Sequence, residues 1–361
     1  MCRSHCGQEQ GDVPGGLVTV PLHEAVGMVL AHDVTEIRAG EFKGRAFKKG
    51  HVVRREDIAR LQRLGKEHLY ILNLAEDEMH ENEAAEALAG ALMGPGVEAA
   101  GEPKEGKITL VAARDGLLKV DVERLFAFNM LGQVMCATLH NNTVVRKGCV
   151  VAGTRAIPLV VKRSLVADAV SRVRGGAIEV KVMRRPKAGV VITGNEVYSG
   201  LVRDSFAPVI RRKIEELGGS VIGVRYAPDE ADHIARNLSE LLAAGADLLI
   251  TTGGMSVDPD DVTRFAVRSL GAADIVYGSA VLPGAMFLVA YIDRPNGDSR
   301  VPLLGVPACG IYHRTTVFDL ILPRVLAGET ITRADLARMG HGGLCLGCGD
   351  ECRYPVCPFG K

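Results

Sequence analysis

From residue 186 onward, apolar runs of four to six residues alternate with amphipathic segments long enough to be helices. GVVIT precedes DSFAPVIRRKIEELG, SVIGVRY precedes PDEADHIARNLSELLAAG, and ADLLITT precedes PDDVTRFAVRSLG and ADIVYG; a hairpin-like pair, MFLVAY and VPLLGV, then leads into IYHRTTVFDLILPRVLAG. Strands that are apolar at every position bury both faces, so the alternation predicts an α/β domain over 186–328: a three-layer, mostly parallel sheet. The first half reads differently. In REDIARLQRLG, Ile58, Leu61 and Leu64 recur every three residues and Gly65 stops the helix, which leads into the strand HLYIL. This predicts a small α+β unit over 17–75. An acidic, helix-prone stretch and the breaker MGPGVEAAGEPKEG follow, then the strand-like runs KITLVAA, LLKVD, QVMCATL and GCVVAG, making 76–180 a mostly β or α+β region. Residues 329–361 form a Cys-rich tail.

Composition narrows the function. Over 361 residues, Lys plus Arg and Asp plus Glu both total 43, so the formal net charge is zero and the usual footprint of a nucleic-acid binder is absent. Aromatic residues are 4% and none is Trp, which disfavours base stacking. No apolar run approaches the roughly eighteen residues of a membrane span, and no basic-then-apolar leader is present. A cytoplasmic protein without nucleic-acid or membrane partners is expected.

Two strand ends carry chemistry. TTGGMSVDPDD places Gly253 and Gly254 before a helix start, where bare backbone N–H groups suit an oxyanion, with Asp260 and Asp261 beside them. Thr193, Gly194, Asn195 and Glu196 repeat the design after GVVI, Asp204 begins the next helix, and Asp229 heads PDEADHI; helix capping accounts equally for these aspartates. Carboxylates facing a bound anion would repel it unless a divalent cation lay between, which implies magnesium.

In order, TGNE, DSFAPVIRRKIEELGG, PDEADHI, ADLLITTGGMSVDPDD, VLPGAM and LLGVPACG resemble the MoeA/gephyrin-like molybdenum insertases, a molybdopterin-binding family of molybdenum-cofactor biosynthesis. The resemblance covers about 186–328 and, less specifically, VPLHEAVGMVLAHDV. It implies an enzyme that takes adenylylated molybdopterin and molybdate or tungstate and releases molybdenum cofactor with hydrolysis of the adenylate. It further implies a homodimer, with molybdoenzymes or other cofactor-biosynthesis proteins as partners. Carried over by position, Glu196, Asp229, Asp260 and Asp261 are catalytic. Thr193, Gly194, Asn195 and Asp204 hold the cofactor, as do Thr252, Gly253, Gly254, Met255 and Ser256, with Pro283, Gly284 and Pro307 completing the set. A non-catalytic cofactor carrier or sensor is the alternative, and a nucleotide pyrophosphate hydrolase a further one.

The chain also departs from that family. LPGAM at 282–286 lacks its lysines, VPACG at 306–310 replaces its Pro-Gly-Asn loop, and its N-terminal Ser and Asp-Gly loop is not evident in EIRAGEFKGRAF. Where a C-terminal β-barrel is expected stands GGLCLGCGDECRYPVCPFGK. Cys345, Cys348, Cys352 and Cys357 follow C-x-x-C-x-x-x-C-x-x-x-x-C-P, a spacing that suits zinc or an iron–sulfur cluster, with a metal-free thiol-rich tail as the alternative. Cys309 is expected to be a buried structural thiol.

Overall fold

The computed structural model describes residues 17–38, 42–72, 74–254, 262–294, 300–349 and 351–361. The chain divides into two compact units. One gathers the described residues up to 114 with 119–139 and 145–180; the other gathers 115–118, 140–144 and 181–361.

In the first unit Leu17–Pro21 pairs antiparallel with His68–Leu72, and Val34–Arg38 pairs with Phe42–Phe47. Their core holds Val20, Leu30, Val34, Phe47, Leu61 and Leu69. The helix Ile58–Arg63 contributes Leu61 and ends as Gly65 takes φ +73°, the stop expected from sequence. Further on, an antiparallel sheet runs in the order Val97–Ala99, Lys107–Ala112, Val150–Ala156, Val134–Thr138. The helix Glu81–Leu92 packs on it through Ala84, Ala85, Leu88, Ala89 and Leu92, the i, i+4, i+8 spacing of one helical face.

The second unit is built on six strands: β1 (Lys187–Thr193), β2 (Ser220–Ala227), β3 (Leu248–Thr252), β4 (Ala273–Tyr277), β5 (Leu288–Asp293) and β6 (Arg300–Val306). Their order across the sheet is β2-β1-β3-β6-β5-β4, with β2, β1, β3 and β6 parallel. Strand β5 runs antiparallel to both neighbours, so the predicted hairpin forms and the sheet is mixed. Alternate side chains divide between two cores. Val190, Ile192, Ile250 and Leu304 face the helices α1 (Phe206–Glu216) and α4 (Val317–Leu326); Val191, Leu249 and Leu303 face α2 (Ala231–Ala243) and α3 (Thr263–Ser269). Each fully buried Leu or Ile contributes roughly 1.5–3 kcal/mol, so burial on both faces explains the unbroken apolar runs.

IYHRTTVFDLILPRVLAG is not one helix. A single turn, Cys309–Tyr312, is followed by a break, and α4 restarts at Val317 because Thr316 and Asp319 form a reciprocal capping box. Among the described residues no helix is long and apolar enough to cross a membrane.

Candidate functional site

The helix after β1 lies on one face of the sheet and the helix after β3 on the other. The chain therefore leaves these adjacent strands toward opposite faces, the topological switch point at which open α/β sheets take ligands. Past the last ladder pair, Ile192 with Thr252, the Thr193 hydroxyl donates to the Thr252 carbonyl at 2.7 Å and ties the two ends together.

Glycine is required on both sides of that tie. Gly253 has φ +79°, and a Cβ there would lie 2.7 Å from Thr193 Oγ1 and 2.8 Å from the Thr193 carbonyl. Gly194 has φ +137°, and a Cβ there would meet Glu196 Oε1 at 2.8 Å, so the exposed Glu196 side chain folds back over Gly194. At Gly254, φ +58°, the conflict would be with Thr263 Oγ1, which itself donates to the Gly253 carbonyl at 3.2 Å. Thr252 Oγ1 is fully buried and has no hydrogen-bond partner among the described residues.

The aspartates take different parts. Asp229 Oδ2 accepts the Asn195 N–H at 3.1 Å while Asn195 Oδ1 accepts the Asp229 N–H at 3.1 Å, a reciprocal clamp that brings a third segment to the β1 loop. Asp229 therefore serves the loop; the residue at the α2 cap is Glu230. Asp204 is a helix cap, accepting the Phe206 N–H at 2.7 Å and the Ala207 N–H at 3.3 Å. Burial and the neighbouring Asp204 charge push the Tyr226 hydroxyl, 3.1 Å from Asp204 Oδ2, above its ordinary range. Asp260, Asp261, Met255 and Ser256 lie outside the described residues.

A cleft of about 500 Å³ lies at this rim, lined by Gly253 and Gly254, by 282–286 and by 307–309. It unites Gly253, Gly254, Pro283, Gly284 and Pro307 from three separate loops. Gly284 has no room for a side chain, since its Cβ would fall 2.4 Å from Val317 Cγ1. Glu196, Asn195 and Asp229 are not among the lining residues, and no described lining residue is charged. Cys309 is only half buried and lines the cleft, where sequence pointed to a structural thiol; burial pushes it above the ordinary thiol range. Leu282, Ala285, Met286 and Ala308 were not foreseen as lining, because small and apolar residues in a loop carry no chemical signal of their own.

The four tail cysteines do not assemble. Among the described residues no group of three or more His, Cys, Asp or Glu side chains is placed to hold a metal. Cys352 Sγ instead lies 3.3 Å from Thr315 Oγ1, Cys345 and Cys357 pack against the α1/α4 core, and Cys348 is exposed. The tail is built into the unit: the Cys345 N–H donates to the Leu282 carbonyl, the Leu282 N–H to the Gly343 carbonyl, both at 2.8 Å, and Phe359 is buried. As arranged, the tail thiols thus fit neither zinc nor an iron–sulfur cluster, and Asp260 and Asp261, expected beside magnesium, lie outside the described residues.

Residues 189–327 match the model of a probable molybdopterin binding domain, and residues 19–73 that of a domain of unknown function (DUF8806). A molybdopterin molybdenumtransferase of Synechococcus elongatus is 28% identical over 169 residues, 45% of this chain and 41% of that protein. One from Staphylococcus aureus is 31% identical over 125 residues, 33% of this chain and 30% of that one. A CinA-like protein of a Mycobacterium species is 37% identical over 89 residues, 23% and 21% of the two chains. The chain spans less than half the length of each of these relatives.

Proposed function

We propose that the chain, whose residues 189–327 match the model of a probable molybdopterin binding domain, binds molybdopterin at the rim where β1, β3 and β6 end. There it acts as an insertase, taking adenylylated molybdopterin with molybdate or tungstate and releasing the adenylate. One observation carries this reading: Gly253 both closes against Thr193 and lines the 500 Å³ cleft, so the strand-end junction is continuous with a ligand-sized space. Backbone at Gly253 and Gly254, free of side chains, can approach a phosphate closely, and the apolar walls exclude water that would weaken those hydrogen bonds.

Glu196 is assigned the catalytic carboxylate. Asp204 is engaged in capping and Asp229 in the clamp to Asn195, whereas Glu196 is exposed beside the tie between the strands. Its role is to orient and deprotonate the water that attacks the adenylate phosphorus. Replacing Glu196 with Ala is expected to leave molybdopterin binding intact and to lower molybdate-dependent adenylate release by about 10²–10⁴-fold. Equal turnover by mutant and wild type would defeat the assignment.

The absence of charge among the described residues of the cleft wall favours a second reading, a carrier that holds finished cofactor without turnover. It predicts tight cofactor binding with no adenylate release, whether or not molybdate and magnesium are supplied.

A further inference from the structure

A second cavity, of about 350 Å³, lies within the first unit. Four stretches far apart in sequence converge on it: His32 and Asp33; Arg45, Lys48 and Lys49; Glu81, Asn82 and Glu86; and 102–105. Nothing in the chemistry assigned to the β1/β3 rim uses these residues.

Part of the wall is matched internally. Arg45 Nη1 is 2.8 Å from Asp33 Oδ2, and Asp33 Oδ1 accepts the Lys49 N–H at 2.7 Å. These contacts outweigh the cost of burial and hold the Asp33 carboxyl below its ordinary range. The rest of the wall is not matched in this way: Lys48, Lys49 and Lys104 line the same space as Glu86, Glu102 and Glu105, and of these carboxylates Glu105 Oε1 accepts from the Thr35 hydroxyl at 3.4 Å.

Solvated charges alone would need no explanation, but the inner wall is buried. Glu81 is 6% exposed, and Arg155 Nη2 stands 3.7 Å from its Oε2, longer than a hydrogen bond. A glycine makes room for this carboxylate: at Gly106, φ +68°, a Cβ would sit 2.5 Å from Glu81 Oε2. His32 Nδ1 is buried and has no hydrogen-bond partner among the described residues. Burial pushes the Glu81 carboxyl up and the Lys49 ammonium down, each toward its neutral form. Such groups gathered around a cavity cost stability and mark a binding site more often than a scaffold.

The balance of charge selects the ligand. A simple anion drawn to the lysines would meet as many carboxylates, and a simple cation the reverse; a molecule carrying both charges gains at both ends. At about 30 Å³ per water-sized volume, the space suits roughly ten non-hydrogen atoms. We propose that this cavity binds a small zwitterion of amino-acid size, its anionic group against Lys48, Lys49 and Lys104 and its ammonium against Glu86, Glu102 and Glu105.

The test is calorimetric titration of the full chain with the unbranched amino acids from glycine to 6-aminohexanoate, each beside the carboxylic acid and the amine of matching length. At least one zwitterion is expected to bind with Kd at or below about 1 mM, and its acid and amine at least about tenfold more weakly. Lys104→Gln and Glu105→Gln, both at exposed positions, are each expected to weaken that binding by about tenfold or more while melting temperature stays at the wild-type value. The proposal is overturned if no zwitterion binds, if an acid or amine alone binds as well, or if both folded variants bind like wild type.

Discussion

The two cavities are built on opposite principles. Among the described residues, the cleft of the second unit is walled by glycines, prolines, alanines, Leu282, Met286 and the Cys309 thiol, and its shape comes from backbone geometry: Gly253, Gly254 and Gly284 stand where a Cβ would collide. The cavity of the first unit is walled by side-chain charge, and its shape comes from long side chains held apart by one another. A backbone-built site tolerates change in charge but not in volume; a charge-built site should do the reverse. The first kind is lined by loops at the rim of the sheet, whereas the second gathers side chains from the strand Phe42–Phe47, the helix Glu81–Leu92 and loops between elements.

The sharpest way to break this contrast is at the glycines. Gly253→Ala and Gly284→Ala each add a methyl into an occupied space at positive φ, and each is expected to lower the stability of the second unit by about 2–4 kcal/mol in urea unfolding and to abolish molybdopterin binding. Gly200→Ala is the control. It also has positive φ, +76°, but nothing within 4 Å of the added carbon, so its cost should stay near 1 kcal/mol with binding kept. Equal losses at all three positions would mean that crowding is not what shapes the cleft.

Charge does stabilise the second unit away from its cleft. Asp335 is at the start of the helix Arg333–Arg338; burial opposes its charged form, but hydrogen bonds from Thr332 and the Arg324 guanidinium, 2.8 Å away, prevail and lower the carboxyl to about 2. A folded value below the ordinary 3.8 means that this contribution is present above about pH 4 and disappears as pH falls toward 2. Asp335→Asn should therefore cost roughly 2 kcal/mol at neutral pH and flatten the acid limb of the stability profile. An unchanged acid limb would remove Asp335 as its source.

The smallest effect is expected in the first unit and has the opposite sign. The Glu81 carboxyl is pushed up by burial, so its contribution to stability is present below its ordinary value of 4.5 and is lost as pH rises through the folded value. Glu81→Gln should raise the melting temperature of that unit slightly at neutral pH and remove its gain on acidification. A fall in melting temperature at neutral pH would show that the contact with Arg155 outweighs burial.

Much of the second unit was legible in sequence for a simple reason: strands buried on both faces leave continuous apolar runs, and the intervening helices keep one apolar stripe. The hairpin of β5 and β6 was visible too. The restart at Thr316 was read through because the capping box lies inside an otherwise uniform apolar pattern. Of the residues that line the cleft, Gly253 and Gly254 stand out in sequence by loop chemistry and Pro283, Gly284 and Pro307 only through the family resemblance, while the neighbours Ala308 and Met286 do not. The charged cavity has no signal in the sequence, since its lysines and glutamates are scattered and each alone resembles solvated surface.

By itself the sequence determined which segments become strands and helices, that glycine must occupy the strand-end turns, and that four thiols crowd the last residues. Only the tertiary structure decided the rest: that Asp229 clamps Asn195 and Asp204 caps a helix, that Cys309 lines a cleft, and that the tail cysteines disperse among core, surface and a threonine partner. Local pattern reports the periodicity with which a side chain is buried. It does not report the partner, because partners are set by which strands become neighbours, and that is fixed by the packing of the whole sheet.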